Sequence, residues 1–262
     1  MNILVCIKQV PENLEQIQIN SKGNGIVIHE NLKYRMNRFD SNAVEAALII
    51  KENIPDSVVD VVTVGPDFSE SIVRRAMGMG ADNGFIIKIE PEKYVSPSTT
   101  SALLAKMAIP KNYNLILTGI MSEDEMNAQT GQMLAERMGI PSISGVVDIQ
   151  INNSKLNIKR EREGGIRELL EVNMSEIKTI LLTIQAGINQ PRYPSLSALL
   201  RAKNQEIKIF TNYLNTENYD NDQYIVSIKK AEKMRQGKYL EGSTHEKAKQ
   251  FIDIMKARNI LL

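Results

Sequence analysis

Residues 114–138 read NLILTGIMSEDEMNAQTGQMLAERM, and the fold of the chain turns on how this stretch is taken. Leu115 to Thr118 form a short apolar run closed by Gly119, the pattern of a buried strand, and Met133, Leu134 and Met138 recur at helical spacing after Gln129. A polar loop lies between them. In an open parallel sheet, ligands bind beyond the carboxyl ends of the strands, and the first turn of the next helix presents unpaired N–H groups that suit a phosphate. Gly119 lets main chain approach a ligand, Ser122 and Asp124 offer hydrogen bonds to a ribose or base, and Ala128-Gln129-Thr130-Gly131 puts small residues and a hydroxyl at the helix start. These features outline a nucleotide site. The alternative is an ordinary strand-to-helix loop with Asp124 or Asn127 as the helix cap.

Upstream, strand and helix alternate. Residues 3–7 are an apolar run stopped by Lys8-Gln9-Val10-Pro11, and Ile17-Gln18-Ile19 and Ile26-Val27-Ile28 flank a Lys22-Gly23-Asn24-Gly25 turn, which predicts a hairpin. Asn37-Arg38-Phe39-Asp40 precedes a helix over 41–52, with Asp40 or Ser41 as cap, so this loop points amides toward whatever lies over the first strand. Strands follow at 58–64 and 85–89, with helices at 68–77 and 97–108. Four strand–helix repeats joined by right-handed crossovers predict an α/β chain with an open, mostly parallel sheet and helices on both faces. The glycines of residues 78–84 do not make a dinucleotide fingerprint. Their spacing is wrong, and they follow a helix and precede a strand, so they read as a helix C-cap. No phosphate-loop lysine motif is present, which excludes that class of nucleotidase.

Downstream of Pro141, strand-like pieces at 143–151, 155–162, 167–172 and 179–183 predict an antiparallel addition to the sheet. A loop with two prolines, residues 187–196, carries Leu196 before a short helix over 197–203. Leu196 either tucks into its own core or anchors a partner. Residues 211–223 are polar and rich in asparagine, a linker pattern. Ser243-Thr244-His245-Glu246 then opens a helix with Phe251, Ile254, Met255 and Arg258 on one side. The organisation expected is a nucleotide-binding α/β domain over 1–210 and a linker with a C-terminal arm over 211–262, the arm clasped to a partner subunit.

Bulk properties narrow the function. The 262 residues carry 32 basic and 31 acidic side chains, a net charge of +1, with 5% aromatics and no tryptophan. That balance argues against a nucleic-acid surface. Cys6 is the only cysteine and lies in the first apolar run, and the two histidines, His29 and His245, have no ligand spacing, so metal and disulfide chemistry have no footing. Residues 2–7 are too short for a secretion signal or a membrane span. A cytoplasmic protein without membrane or nucleic-acid partners is expected.

Six stretches in order carry a resemblance to a known family: residues 3–11, Met36-Asn37-Arg38-Phe39-Asp40, Ala76-Met77-Gly78-Met79-Gly80-Ala81-Asp82, the 119–131 loop, Arg160-Glu161-Arg162-Glu163-Gly164-Gly165, and Asn189-Gln190-Pro191-Arg192-Tyr193-Pro194-Ser195-Leu196 with Arg201-Ala202-Lys203. From residue 1 to about 210 the chain resembles the β subunit of the electron transfer flavoproteins. The resemblance implies a sheet of the adenine-nucleotide α-hydrolase-like, Rossmann-like kind, a heterodimer with an FAD-carrying α subunit, and an adenine nucleotide held in β. Position by position it implies cofactor contacts from Cys6, Asn37, Arg38, Phe39, Asp40, Val64, Thr118, Gly119, Ile120, Met121, Ser122, Asp124, Asn127, Ala128, Gln129 and Thr130, the last two near the phosphates. It also implies docking through Tyr193 and Leu196 to an acyl-CoA-type flavin dehydrogenase, and contact of Glu161 with the mobile flavin domain of α. No catalytic side chain and no metal is expected.

Simple carriers of this family hold AMP in β, whereas electron-bifurcating members hold a second FAD that takes hydride from NADH and sends electrons to a dehydrogenase and to a ferredoxin. Bifurcating relatives often show D-G-D-T-A-Q-V-G; this chain has Asp124-Glu125-Met126-Asn127-Ala128-Gln129-Thr130-Gly131. The chain keeps the Asp, the Ala-Gln pair and the last Gly but lacks the central Gly-Asp-Thr, and Thr130-Gly131-Gln132-Met133 resembles the carriers; Ala128-Gln129 and Gly139-Ile140-Pro141 tilt the expectation toward FAD, with AMP as the alternative. A stand-alone ATP-cleaving enzyme would need a glycine-rich phosphate loop after the first strand, and Lys8-Gln9-Val10-Pro11 is not one. A non-redox scaffold subunit is the remaining alternative.

Overall fold

The structure is a computed structural model. It describes all residues except 28–31, 92–93, 153, 212–222, 231–236, 238, 259 and 261–262. Ile28 and His29, and all but the ends of the expected linker, lie outside the described residues. The chain divides into two compact units, Met1–Ile228 and Lys229–Leu262.

In chain order the first unit comprises β1 (Asn2–Cys6), β2 (Gln9–Pro11), β3 (Gln18–Ile19), β4 (Ile26–Val27), β5 (Tyr34–Met36), α1 (Arg38–Asn53), β6 (Val58–Gly65), α2 (Glu70–Met79), β7 (Asn83–Lys88), α3 (Pro97–Ala108), β8 (Leu115–Gly119), α4 (Thr130–Met138), β9 (Ser142–Asn152), β10 (Lys155–Glu161), β11 (Arg167–Asn173), β12 (Ile180–Ile184), α5 (Leu196–Asn204) and β13 (Ile207–Phe210). Nine strands form one sheet in the order β11-β10-β9-β12-β8-β1-β6-β7-β13. The seven from β9 to β13 run parallel, and β10 and β11 continue from β9 as antiparallel strands. β3 and β4 form the expected hairpin.

Period-two alternation splits the strands between two cores. In β1, Ile3 and Val5 join α1 and α2 on one face, where Ala43, Val44, Ile72, Val73 and Ala76 are buried; Leu4 and Cys6 join Leu103, Leu104 and Leu134 of α3 and α4 on the other. Full burial of such leucines contributes about 1.5–3 kcal/mol each. Helix ends follow local chemistry. Ser96 caps α3 by accepting from the Thr99 amide with Pro97 at the first position, and Gly80 ends α2 at φ +134°, where a Cβ would be strained.

Several expectations are corrected. The run at 180–184 is not antiparallel: β12 lies parallel between β9 and β8 in the middle of the sheet, and all five of its residues are buried, as two-sided covering requires. β13, with the short alternation Ile207-Lys208-Ile209, was missed from sequence and adds a parallel strand outside β7. α1 starts at Arg38, so Asp40 and Ser41 lie inside its first turn and neither caps it; Asn37 is the N-cap residue and its side chain makes no capping bond. α4 is not capped by Asp124 or Asn127, because the cap position is Gln129. α5 starts at Leu196, which is therefore helical and not a loop residue.

The second unit contains α6 (Thr244–Ala257). Its capping box is formed: the Glu246 amide donates to Ser243 Oγ, and the Ser243 amide donates to Glu246 Oε2 at 2.8 Å. Ile254 and Met255 are half-buried, while Phe251 and Arg258 are exposed.

Candidate functional site

The chain leaves β1 toward β6 and β7 on one side, then returns to place β8 on the other side of β1. The carboxyl ends of β1 and β8 therefore form the topological switch point, where open α/β sheets bind ligands. Cys6 pairs with Thr118 at this edge, and the Cys6 thiol is pushed well above its ordinary range by burial and then by the Asp40 charge. It is an inert core group, not a nucleophile.

The loop before α1 and the loop after β8 are stitched together here. Asn37 donates through Nδ2 to the Met121 carbonyl at 2.9 Å, and its Oδ1 accepts from the Glu123 amide at 3.2 Å. Asp40 accepts from the Lys8 amide at 2.7 Å and from the Gly119 amide at 2.9 Å. Burial pushes the Asp40 carboxyl up to about 7, against the pull of these amides, of Asn37 and of the Lys8 charge. Glu123 accepts from the Arg38 amide and pairs with Arg35 at 2.7 Å; burial alone would raise its pKa, but Arg35 and that amide outweigh it and hold the carboxyl below the usual range. The Lys8 ammonium reaches Ser122 at 3.3 Å, Asp124 at 2.9 Å and Glu125 at 3.2 Å. Its pKa stays above the ordinary value although burial opposes that, because two carboxylates face it.

Of the residues singled out in the sequence, Asn37, Asp40, Gly119, Met121, Ser122 and Asp124 are thus joined directly or through Lys8. Ile120 continues the ladder by donating its amide to Ile184, and the Thr118 hydroxyl donates to the Gly119 carbonyl. Phe39 is buried against Gly119, where a Cβ would stand 2.7 Å from Phe39 Cβ and 2.3 Å from Asp40 Oδ1. Gly119 therefore makes room for α1. Val64 sits at the end of β6, on the far side of β1 from β8. Beyond Glu125 the loop is exposed: Met126 and Ala128 adopt φ +54° and +53°, and Asn127 donates to Glu125.

α4 then opens with Thr130 and Gly131 and no side-chain cap, so its first-turn amides have no intrahelical acceptor. A Cβ on Gly131 would lie 2.7 Å from Thr118 Oγ1 and 2.8 Å from Thr183 Cγ2, so the glycine seats this helix start directly on the strand ends. An uncapped helix start on a switch point, with the Lys8 ammonium on the neighbouring loop, fits the phosphate of a nucleotide. Lys8, Arg35, Glu123 and Thr183 were missed from sequence. Only the position of Lys8 at the carboxyl end of an apolar strand signals such a role.

Tyr193 and Leu196 lie elsewhere. Residues 189–192 run along α1, with Asn189 and Asn42 exchanging hydrogen bonds at 3.0 Å and Arg192 bound to Glu45 and Glu52. The chain then turns outward into α5, which packs on α2. Tyr193 is 85% exposed beneath the Arg75 guanidinium, at 5.6 Å, and Leu196 is 75% exposed, with Leu200 exposed one turn on. A hollow of about 590 Å³ beside them is lined by Met77, Gly80, Arg192, Tyr193 and Arg201, near the amino end of β7 and away from the switch point. Glu161 ends β10 on the other wing of the sheet and is exposed. Among the described residues no cluster of metal-ligating side chains occurs, and no helix is long and apolar enough to cross a membrane.

Residues 25–214 match the family model described as an electron transfer flavoprotein domain. Similar proteins include the caffeyl-CoA reductase-Etf complex subunit CarD of Acetobacterium woodii, 35% identical over 81% of this chain and 79% of that one. The electron transfer flavoprotein subunit beta of Bacillus subtilis is 28% identical over 98% of both chains, and that of Homo sapiens is 29% identical over 80% of both.

Proposed function

The chain belongs to the electron transfer flavoprotein family as a β subunit, and from that premise we propose that it forms half of an αβ heterodimer that passes electrons to or from an acyl-CoA-type or related flavin dehydrogenase, with an adenine nucleotide at the β1–β8 switch point. The observation that carries the nucleotide reading is the uncapped start of α4, seated by Gly131 on Thr118 and Thr183. The amides of Gln129 and Thr130 take the phosphate end, Ser122 and Asp124 the ribose, and Cys6, Val64 and residues 37–40 wall the adenosine.

The group in this site is proposed to be FAD, which when bound supplies hydride acceptance from NADH and single-electron transfer onward to the dehydrogenase and a ferredoxin. Support comes from the Ala128-Gln129 pair and from the likeness to CarD, named as a subunit of a caffeyl-CoA reductase complex. The protein's own part is to bind, orient and exclude water.

A second reading, a carrier with AMP in β and FAD only in α, is favoured by Glu125-Met126-Asn127, which lacks the Gly-Asp-Thr of bifurcating relatives. Tyr193 and Leu196 are proposed to dock the dehydrogenase, Glu161 to meet the flavin domain of α, and the arm over 211–262 to clasp α. Acid release and chromatography of the nucleotides of the purified heterodimer test the reading. Two FAD per αβ pair support bifurcation, one FAD with one AMP supports the carrier, and no adenine nucleotide beyond the α-bound FAD refutes the β site.

A further inference from the structure

Lys8 follows β1 with its main chain already fixed: its amide donates to Asp40 at 2.7 Å, and its carbonyl accepts from the Asn37 amide at 2.9 Å. From that set point the ammonium reaches the loop after β8, where Ser122 Oγ lies at 3.3 Å, Asp124 Oδ1 at 2.9 Å and Glu125 Oε1 at 3.2 Å. An ammonium has three N–H donors and no acceptor, so there is one oxygen for each donor. Asp124 uses the same Oδ1 to accept from the Glu125 amide at 2.8 Å, and its Oδ2 accepts from no described residue. The Ser122 hydroxyl takes the Lys8 bond as an acceptor, and its own proton goes to no described residue. Lys8 thus fixes the polarity of the pair, with Ser122 left free to donate and Asp124 Oδ2 left free to accept. A sugar hydroxyl both donates and accepts, so two neighbouring hydroxyls answer such a pair.

We propose that Lys8 is a positioning residue that makes this site selective for ribose: by holding Ser122 Oγ and Asp124 Oδ1, it leaves one donor and one carboxylate oxygen for the 2′- and 3′-hydroxyls of the nucleotide. This rests on the nucleotide reading of the switch point, and on Ser122 and Asp124 as its ribose contacts. A buried polar group that loses its hydroxyl partner is left unpaired, which is how a site built to hydrogen-bond a hydroxyl rejects the analogue lacking it. Lys8 acts on that selectivity through the two side chains it orients. A charge acting on the phosphate alone would strengthen binding of ribose and deoxyribose nucleotides by the same factor, so the ratio between them separates the two roles.

The test uses the αβ heterodimer. Its β-bound nucleotide is exchanged, below the denaturing guanidinium concentration, in a large excess of an equimolar mixture of AMP with 2′-deoxy-AMP or with 3′-deoxy-AMP. Unbound nucleotide is then removed, and chromatography reads the ratio retained. The wild type is expected to prefer AMP over each analogue by about tenfold, the worth of one hydrogen bond involving a charged group. In Lys8→Met the preference is expected to fall below about threefold, and Lys8→Arg, which keeps donors at the same place, is expected to restore most of it. A wild type that retains AMP and the deoxy analogues equally overturns the proposal. So does a Lys8→Met heterodimer that keeps the wild-type ratio while binding every nucleotide more weakly. Because Lys8→Met can fail to fold, Ser122→Ala serves as a second variant with Lys8 intact. It is expected to lose the preference at one hydroxyl and keep it at the other, and an unchanged preference at both overturns the proposal. If the wild type retains no AMP at all, the nucleotide reading itself fails, and this proposal fails with it.

Discussion

Arg192 holds Glu45 through both its main chain and its side chain, across 147 positions of sequence. The Arg192 amide donates to Glu45 Oε2 at 3.0 Å, Nη2 donates to Oε1 at 2.8 Å, and Nε lies within 3.1 Å of both oxygens. Glu45 is 5% exposed, and its partner carries a second carboxylate, Glu52, at the open end. These two carboxylates raise the Arg192 pKa above its ordinary range, chiefly through their hydrogen bonds. A fork donor fits this bidentate geometry and a lysine does not. The pair fixes where the chain leaves α1, and so where Tyr193 and Leu196 are presented.

Arg192→Ala leaves a buried carboxylate with one amide and no cation. Breaking a fully buried pair costs about 3–5 kcal/mol; Arg192 is one-third exposed, so about 2 kcal/mol is expected, a melting temperature lower by roughly 4–8 °C. Arg192→Lys should recover less than half of this. Adding Glu45→Gln to Arg192→Ala should return about 1 kcal/mol, since it removes the stranded charge. Calorimetry of the wild type, Arg192→Ala, Glu45→Gln and the double variant checks the cycle, and additive losses would show that the pair is not coupled.

Gly131→Ala tests the seat of α4. Alanine is the better helix former by about 1 kcal/mol, so a surface glycine would gain from the change. Here the new methyl meets Thr118 and Thr183 below 3 Å, and overpacking costs about 1–3 kcal/mol. A net loss of about 1 kcal/mol is expected by denaturant titration, together with loss of β-bound nucleotide as the helix start lifts off the sheet. A stabilised variant that keeps its nucleotide would mean that α4 is not held at this height.

The α/β alternation was legible because strands covered on both faces leave uninterrupted runs such as Ile3-Leu4-Val5 and Leu115-Ile116-Leu117, and because Ser96-Pro97 and Gly80 punctuate helices by local chemistry. The place of β12 was not legible from the hairpin-rich segment around it. Ile180–Ile184 has the same two-sided burial as β8, and that apolar continuity was the available signal. Asp40 misled for a different reason. An aspartate near a helix start usually caps it, and only tertiary structure brings the Lys8 and Gly119 amides within its reach. The switch-point loop was found from Gly119 and the Ala128 to Gly131 segment, whereas the Asn42, Glu45 and Asn189 contacts that aim Leu196 have no local signature.

Asp40 also sets a pH dependence of stability. Its carboxyl titrates at about 7 in the fold, against an ordinary 3.8, because burial disfavours the charge. Between about pH 4 and 7 the native state keeps a proton that the unfolded chain has released. Stability contributed by this group is therefore complete below the unfolded value and is lost as pH rises through about 7, with a ceiling on the order of 4 kcal/mol. Asp40→Asn does not titrate, so the wild type should lose stability relative to the variant across that window and keep a constant offset from it above about pH 8. Denaturant midpoints at matched pH read the difference, and a constant offset from pH 4 to 8 would remove Asp40 as the cause.

Leu196→Ala separates docking from folding. Leu196 is the first residue of α5, three-quarters exposed, with Ser195 capping the helix through the Ala198 amide, so truncation removes surface contact and leaves the cap. Stability should change by less than about 0.5 kcal/mol, as for other surface positions, and nucleotide content should be unchanged. If Leu196 is the anchor of a dehydrogenase contact, electron transfer to that partner should weaken by about 2 kcal/mol, roughly thirtyfold in Kd or KM. Arg192→Lys should show a smaller defect of the same kind, because it blurs the position of an intact anchor. Stopped-flow reduction with the cognate dehydrogenase measures both, and wild-type rates for Leu196→Ala would place the docking surface elsewhere.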